Sequence, residues 1–367
     1  MPQKILILAN HYNTLRIFRR ELLEELHRLG HELVVSIPPC DEENQSILEG
    51  YGCRIIPTTE MERRGMNPVK DLGLLQRYRQ MIRTEKPDLV IAYTIKPNIY
   101  GGLACQWMKI PFFANVTGLG SAFQPGHEKV RKLVSVLYRI SLRKAQGIFF
   151  ENQGNIDTLV ESNIIRKEQA ILMPGAGVNL QIFTPAPYPD ENNGVRFLFV
   201  GRIMQEKGVD ELFEAIRSIK SRYPMAHFDF IGWYEDAYQR QVEQLQEEGL
   251  IHFHGFQPEV RPYIKSCHCI VLPSWHEGMS NTLLEGAAMA RPIITSRIHG
   301  CMEAVKDGGS GFLCKKQHSA DLVSKLENFL QLSLQEKQSM GLTGRQHIEQ
   351  HFDKNDVVNK TIKTLNL

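Results

Sequence analysis

The sequence has no apolar run near the ~20 residues that a membrane-crossing helix needs; Ile5 to Ala9 ends after five residues at Asn10. Those residues, directly after Met1–Lys4, are also too few for a secretory core and read as a first β-strand. Cysteine is sparse and odd in number, seven scattered residues, which excludes a disulfide framework and points to a reduced, cytosolic chain. Cys267 and Cys269 flank His268 without CxxC spacing or a second half-site, so no zinc site is expected there. Low-complexity tracts and residue-level repeats are missing too. The net charge of +2 excludes no partner class on its own.

What is present is a long, mixed chain. With 367 residues and 42% hydrophobic content it holds two domains with substantial cores and is not disordered. Charge is distributed unevenly: residues 1–185 carry 23 basic and 18 acidic side chains, and the remainder 20 and 23. A basic part joined to an acidic part suggests that one of them meets something anionic.

Short β-branched runs at 4–10, 31–37, 53–58, 88–94, 111–117, 147–152 and 170–174 read as strands. Helical periodicity fills 14–29, 68–86, 97–109 and 128–145. Such alternation implies a parallel sheet with crossover helices. A polar, proline-rich stretch from Thr184 to Gly194 interrupts it and reads as a linker. Strands then recur at 195–200, 227–232, 251–256, 268–273, 292–296 and 311–315. The expected organisation is α/β: one doubly wound domain over 1–185, a second over 186–350, a cleft between them, and a last helical segment over 351–367 that returns to the first domain.

Ligands of doubly wound sheets bind beyond the carboxyl ends of strands. Two such loops stand out. In the first, Gly201 ends a strand, and Arg202 and Lys207 precede the helix that begins Val209-Asp210-Glu211. Cations at a helix N-terminus are unfavourable unless an anion joins them, and a guanidinium fork with a lysine point charge suits a diphosphate. Two solvated loop cations are the other reading. In the second loop, Glu277 follows a strand and Glu285 lies in the next helix. On one helix they would be roughly 80° apart; with Glu277 in the loop, both can face a ligand across the helix N-terminus. Alternatively Thr282-Leu-Leu-Glu285 is a capping box, Glu285 bonding back to the Thr282 amide.

Taken together, the loops offer carboxylates for hydroxyls and amides and cations for phosphates. The order Gly201-Arg202, Lys207, Glu277-x7-Glu285, Gly300-x-x-Glu303 and Asp307-Gly-Gly-Ser-Gly311 resembles the retaining family 4 glycosyltransferases of GT-B fold, two Rossmann-like domains facing across a cleft. Pro174 to Phe183 is similar to the segment that precedes the family's linker, so the resemblance spans nearly the whole chain. It implies that Arg202 and Lys207 hold the diphosphate of a UDP-sugar and that Glu277 contacts the transferred sugar; these three are the candidate catalytic residues. Gly201 and the amides of Gly278, Met279, Ser280 and Asn281 would line the donor, Glu285 would bind the ribose hydroxyls, and backbone near Phe256 would meet uracil. Asp-x-Asp and HExxH are both absent, so no metal or other cofactor is expected, and the leaving diphosphate must be neutralised by cations and helix dipoles. The expected reaction is metal-independent transfer with retention.

The acceptor side departs from the family. Its glycine pair after the first strand is replaced by Asn10-His11-Tyr12-Asn13, and Thr117 stands where many members carry a histidine. His11, Lys96, Thr117 and Gly118 are the acceptor candidates, with a surface histidine and a plain turn as the ordinary alternatives. The segments at 94–101 and 115–121 resemble a bacterial subgroup that adds N-acetylhexosamine, often N-acetylgalactosamine, to polyprenyl-diphosphate-linked sugars. Basic helices at 63–86 and 128–145 interleave cations with apolar residues, which fits contact with an anionic bilayer at the inner face of the cell membrane. The alternative is that the apolar stripe packs on the sheet and the cations are solvated. Nucleic acid is not an expected partner. A UDP-N-acetylhexosamine epimerase and a non-catalytic nucleotide-sugar-binding protein are the rival readings.

Overall fold

The computed structural model describes residues 1–58, 67–120, 123, 126 and 128–367. Arg63, Arg64 and Ser121 of the segments above lie outside the described residues.

The chain divides into two units, one formed by Met1–Ala176 with Asn355–Leu367 and the other by Gly177–Lys354. In the first, β1 (Lys4–Leu8), β2 (Glu32–Ser36), β3 (Cys53–Ile55), β4 (Leu89–Tyr93), β5 (Phe112–Val116), β6 (Gly147–Phe150) and β7 (Ala170–Leu172) form a seven-stranded sheet in the order β3-β2-β1-β4-β5-β6-β7. Every pairing in it is parallel. Its central strands are continuous apolar runs such as LVIAY, buried along their length because helices cover both faces, while the edge strands β3 and β7 are partly exposed. The second unit has β8 (Arg196–Val200), β9 (His227–Ile231), β10 (His252–Phe253), β11 (Cys269–Leu272), β12 (Ile293–Ser296) and β13 (Gly311–Cys314), in the order β10-β9-β8-β11-β12-β13. Every segment read as a strand in the sequence contains one.

Strand order reverses between β1 and β4 in one sheet and between β8 and β11 in the other. At such a point the crossovers leave to opposite faces and open a crevice beyond the strand ends. The two loops singled out from sequence are those that follow β8 and β11. The loop after β1 carries His11, and Lys96 lies in the first turn of the helix that follows β4.

Two boundaries differ from the sequence reading. The division falls at residue 176, not 185. The proline-rich stretch is no free linker, because it is bolted to the second unit. The fully buried Arg291 guanidinium donates to the carbonyls of Ala186, Pro187, Ile264 and Lys265, Tyr188 Oη donates to the His268 carbonyl, and Lys337 pairs with Glu191. The second division falls at residue 354 rather than 350. Beyond it, the helix Lys354–Leu365 buries Val357, Val358, Ile362 and Leu365 in the first unit's core with Ile5, Ile7 and Val35.

Candidate functional site

The loop after β8 turns through a short 3-10 segment, Gln205–Lys207, and enters the helix Val209–Arg222 at Gly208. Gly208 has φ of +70°, and a Cβ there would lie 2.1 Å from the Pro273 carbonyl oxygen, so only glycine lets the loops after β8 and β11 touch. Gly208→Ala is therefore expected to cost on the order of 1–3 kcal/mol and to lower the melting temperature by several degrees; an unchanged melting temperature would contradict this packing. Two further bonds tie these loops: the Trp275 amide donates to the Glu206 carbonyl at 2.9 Å, and Trp275 Nε1 donates to Glu211 at 3.2 Å.

That contact brings Lys207 to Glu277. Lys207 Nζ lies 2.5 Å from Glu277 Oε1, which also accepts from the Ser274 hydroxyl at 2.8 Å. Both members of the pair are largely shielded from solvent, where charge-assisted hydrogen bonds are stronger than in water. Arg202, more open, pairs with Glu235 at 3.3 Å. The two cations are thus anchored by carboxylates and are not freely solvated.

Glu277 lies in the loop, as the ligand reading requires, and the helix Asn281–Ala288 begins four residues later with Ser280 at its N-cap. The capping-box alternative fails. Thr282 is already inside the helix, and its hydroxyl donates to the Val200 carbonyl at 3.2 Å. Glu285 sits a turn further in, and burial raises its pKa to about 7 against the opposing pull of Lys354. A carboxyl held there without a cap to make is a feature the fold tolerates at a cost. Met279 and Ser280 are buried, Met279 with its side chain in the second unit's core, so each presents backbone rather than side chain. The Ser280 amide donates to the Gly300 carbonyl, whose own amide is held by Glu303 at 2.7 Å. The Gly300-x-x-Glu303 motif thereby braces the helix start. Asp307 closes a turn by accepting from the Leu313 amide and pairing with Arg297.

Phe256 joins Gly201 through a third contact. The Gly232 amide donates to the Gly255 carbonyl, and a Cβ on Gly232 would fall 1.8 Å from the Gly201 carbonyl oxygen. Phe256 is 62% exposed, and its ring stands edge-on to Trp233, itself 45% exposed, at 5.6 Å.

In the first unit the candidates are engaged locally. His11 caps the helix Tyr12–Arg16, its Nδ1 accepting from the Asn13 amide at 3.1 Å, and stacks on Tyr12. Lys96 Nζ pairs with Asp71 at 3.0 Å. Thr117 and Gly118 follow β5, half-buried.

Sequence reasoning missed Thr94, Trp233, Trp275 and a His-x-His pair. Thr94, between β4 and the helix Ile95–Met108, has φ of 75° and ψ of 169°, a region essentially reserved for glycine, and its buried hydroxyl has no hydrogen-bond partner among the described residues. A β-branched residue in that position gives no sign in the sequence. Among the described residues one trio has metal-holding spacing, Asp229, His252 and His254. The expectation of no metal site overlooked it because the His-x-His at 252–254 was not weighed on a strand.

Comparisons with known proteins place the chain in a family and a fold. Residues 194–332 match the family model described as glycosyl transferases group 1, and residues 15–176 match the glycosyl transferase 4-like domain. An N,N'-diacetylbacillosaminyl-diphospho-undecaprenol alpha-1,3-N-acetylgalactosaminyltransferase of Campylobacter jejuni is 27% identical over 330 residues, covering 86% of each chain. An uncharacterized glycosyltransferase of Methanocaldococcus jannaschii is 30% identical over 255 residues, covering 68% of this chain and 67% of its own. Among solved structures, Anabaena HepE in complex with UDP superposes with a TM-score of 0.80 at 17% identity, covering 99% of both chains.

Proposed function

The chain belongs to the family 4 glycosyltransferases of GT-B fold, and from that premise we propose that it transfers an N-acetylhexosamine, N-acetylgalactosamine as the best match, from a UDP-sugar to a polyprenyl-diphosphate-linked saccharide. The observation that carries this reading is the meeting of Lys207, Glu277 and the start of the helix Asn281–Ala288 at the strand-order reversal between β8 and β11. The C. jejuni relative, matched over most of both chains, suggests the transferred sugar and the acceptor class, and the UDP bound in HepE suggests the nucleotide.

In this mechanism Arg202 and Lys207 neutralise the diphosphate as its bond to the sugar breaks, with the amides of Gly278, Met279 and Asn281 at the helix N-terminus adding their partial positive charge; the Ser280 amide, expected from sequence to line the donor, is instead spent on the Gly300 carbonyl. Lys207 moves from Glu277 towards the developing charge, which frees the Glu277 carboxylate for the sugar hydroxyls. Glu285 accepts from the ribose hydroxyls, and backbone beside Phe256 meets the base. No metal ion is needed in this scheme, and the anomeric configuration is retained. Proton NMR of the first product formed from a UDP-α-sugar tests the stereochemistry: an α-linked product is expected, and a β-linked one contradicts the reading.

We place the reaction at the inner face of the cell membrane. The helix Glu128–Ser141 supports this placement, because its apolar residues divide into two sets. Val134 and Tyr138 are buried, whereas Val130, Leu133, Val136 and Ile140 are exposed among Lys129, Arg131, Lys132 and Arg139. Exposed Trp107 on the neighbouring helix Ile95–Met108 carries Arg79 over its ring at 4.9 Å. No helix among the described residues is long and apolar enough to cross a membrane. An exposed apolar ridge flanked by cations suits the headgroup region of an anionic bilayer, at about 1 kcal/mol per cation. The double change Leu133→Ser and Ile140→Ser is expected to lower cosedimentation with phosphatidylglycerol-containing vesicles several-fold without altering the melting temperature. Equal cosedimentation would remove this surface from the account.

A further inference from the structure

Away from the loops described above, Asp229 on β9, His252 on β10 and His254 just beyond it place their ligand atoms within 4.8 Å of one another. The register dictates this. Asp229 opposes His252 across a parallel pair, and the two-residue period of a strand returns His254 to the same face. The imidazoles stack at 4.4 Å with only 7° between their planes. His254 Nε2 lies 2.7 Å from Asp229 Oδ1, while Asp229 Oδ2 accepts from Arg196 at 2.6 Å. Tyr263 packs edge-on to His254 at 4.8 Å. Asp229 is buried and His252 is exposed, so the trio has an anchored inner ligand and an open side.

We propose that Asp229, His252 and His254 bind a divalent transition-metal ion of the zinc type at a site separate from the sugar-transfer chemistry. Two imidazole nitrogens and one carboxylate oxygen form a borderline donor set suited to zinc and poorly suited to magnesium or calcium. Ligands held ~2.0–2.1 Å from a tetrahedral ion stand about 3.3 Å apart, so small rotations of the two rings bring the trio to that spacing. The ion takes the place of the hydrogen bond between His254 and Asp229, the imidazole binding as its other tautomer with the proton carried on the opposite ring nitrogen, and water completes the coordination. Arg196 holds the second carboxylate oxygen and so fixes the orientation of the ligand from behind, at the price of one nearby like charge.

The site has a structural consequence. β10 is a two-residue strand at the edge of its sheet, and Gly255 follows directly, its carbonyl receiving the Gly232 amide. An ion bridging β9 and β10 pins this edge just before the segment that carries Phe256.

The test uses the full chain, stripped with EDTA and dialysed, then titrated with zinc against a chromophoric chelator and, in parallel, with cobalt(II) followed by its visible absorption. One saturable zinc per chain is expected, with a rise in melting temperature on binding. His252→Ala removes an exposed side chain and leaves the fold intact. It is expected to weaken zinc binding at least about tenfold and to abolish both the cobalt spectrum and the thermal shift. His27→Ala, also exposed and remote in sequence, serves as the control and is expected to change nothing. Substoichiometric zinc, or a smaller change in His252→Ala, overturns the proposal. Neither readout involves a sugar donor, so failure here leaves the transferase reading standing, and failure of that reading leaves this one.

Discussion

Lys207→Ala is expected to lower the turnover of sugar transfer by about 10²–10³-fold while the circular dichroism spectrum and melting temperature stay near those of the wild type. The size follows from where the lysine sits. It ends the 3-10 segment after β8, and Gly208 and Trp275 hold that segment against the loop after β11. Its Nζ contacts the Glu277 carboxylate at 2.5 Å. In the proposed mechanism Lys207 meets the charge of the departing diphosphate at short range in a partly shielded setting, where each charge-assisted bond is worth more than in water. Removing the lysine also leaves Glu277 without its counter-charge beside a dianionic leaving group, so binding of UDP weakens along with kcat. Lys207→Arg restores the charge without the point geometry and recovers part of the rate. A Lys207→Ala enzyme within threefold of wild type would take the diphosphate away from this loop.

Glu285→Gln is expected to produce two opposed effects, and observing both would identify the residue as functional. Burial lifts the carboxyl from its ordinary 4.5 to about 7. Between those values the folded protein keeps a proton that the unfolded chain has lost. The contribution of the neutral carboxyl to stability is therefore complete below about pH 4.5 and is lost as pH rises through about 7. Above that, the ionised group costs on the order of 2–3 kcal/mol. Glutamine removes the cost: the variant melts a few degrees higher than wild type at pH 8, and the difference vanishes near pH 5. Donor affinity moves the other way. An ionised carboxylate accepting ribose hydroxyls contributes about 1.5–3 kcal/mol, so UDP binds roughly tenfold to a hundredfold more weakly to the variant. In the wild type, UDP affinity declines as pH falls below about 7, and in Glu285→Gln that dependence flattens. A variant that loses stability at pH 8 and binds UDP normally would mark Glu285 as a plain core residue.

The strands were legible because buried parallel strands announce themselves as short continuous apolar runs, whatever lies across from them. The helices Glu42–Gly50 and Gln153–Glu161 were not, since each buries only two side chains, Asn44 and Leu48 in one, Ile156 and Leu159 in the other. Their order comes from Asp41 and Asn152 caps and from Arg16 reaching Asn44, partners outside any local period. The strand at 252–253 stops short of its expected end because Gly255 turns with φ of +67° to meet Gly232.

At the candidate site the residue types and their loops were readable, because cations before a helix and a glutamate after a strand are local signals. What brings them together was not. Nothing near Gly208 in sequence foretells Pro273 against it, and nothing near Trp275 foretells Glu211. The Thr282-x-x-Glu285 spacing fits a cap and a ligand equally well; the helix start at Asn281 removes the cap. The proline-rich stretch at 184–194 resembled a linker by composition, and only the buried guanidinium of Arg291, over a hundred residues away, reveals it as packed structure. In the first unit, strain at Thr94 marks the end of β4, where strand order reverses.

The central claim is that the loops after β8 and β11 form the donor site of a metal-independent glycosyltransferase acting on a lipid-linked sugar. The most direct test is release of UDP from a panel of UDP-sugars, in EDTA, with and without a polyprenyl-diphosphate-linked saccharide. One UDP-N-acetylhexosamine is expected to yield UDP only when the acceptor is present, at a rate that chelation leaves unchanged. UDP release from no donor, or release that EDTA abolishes and magnesium or manganese restores, would contradict it.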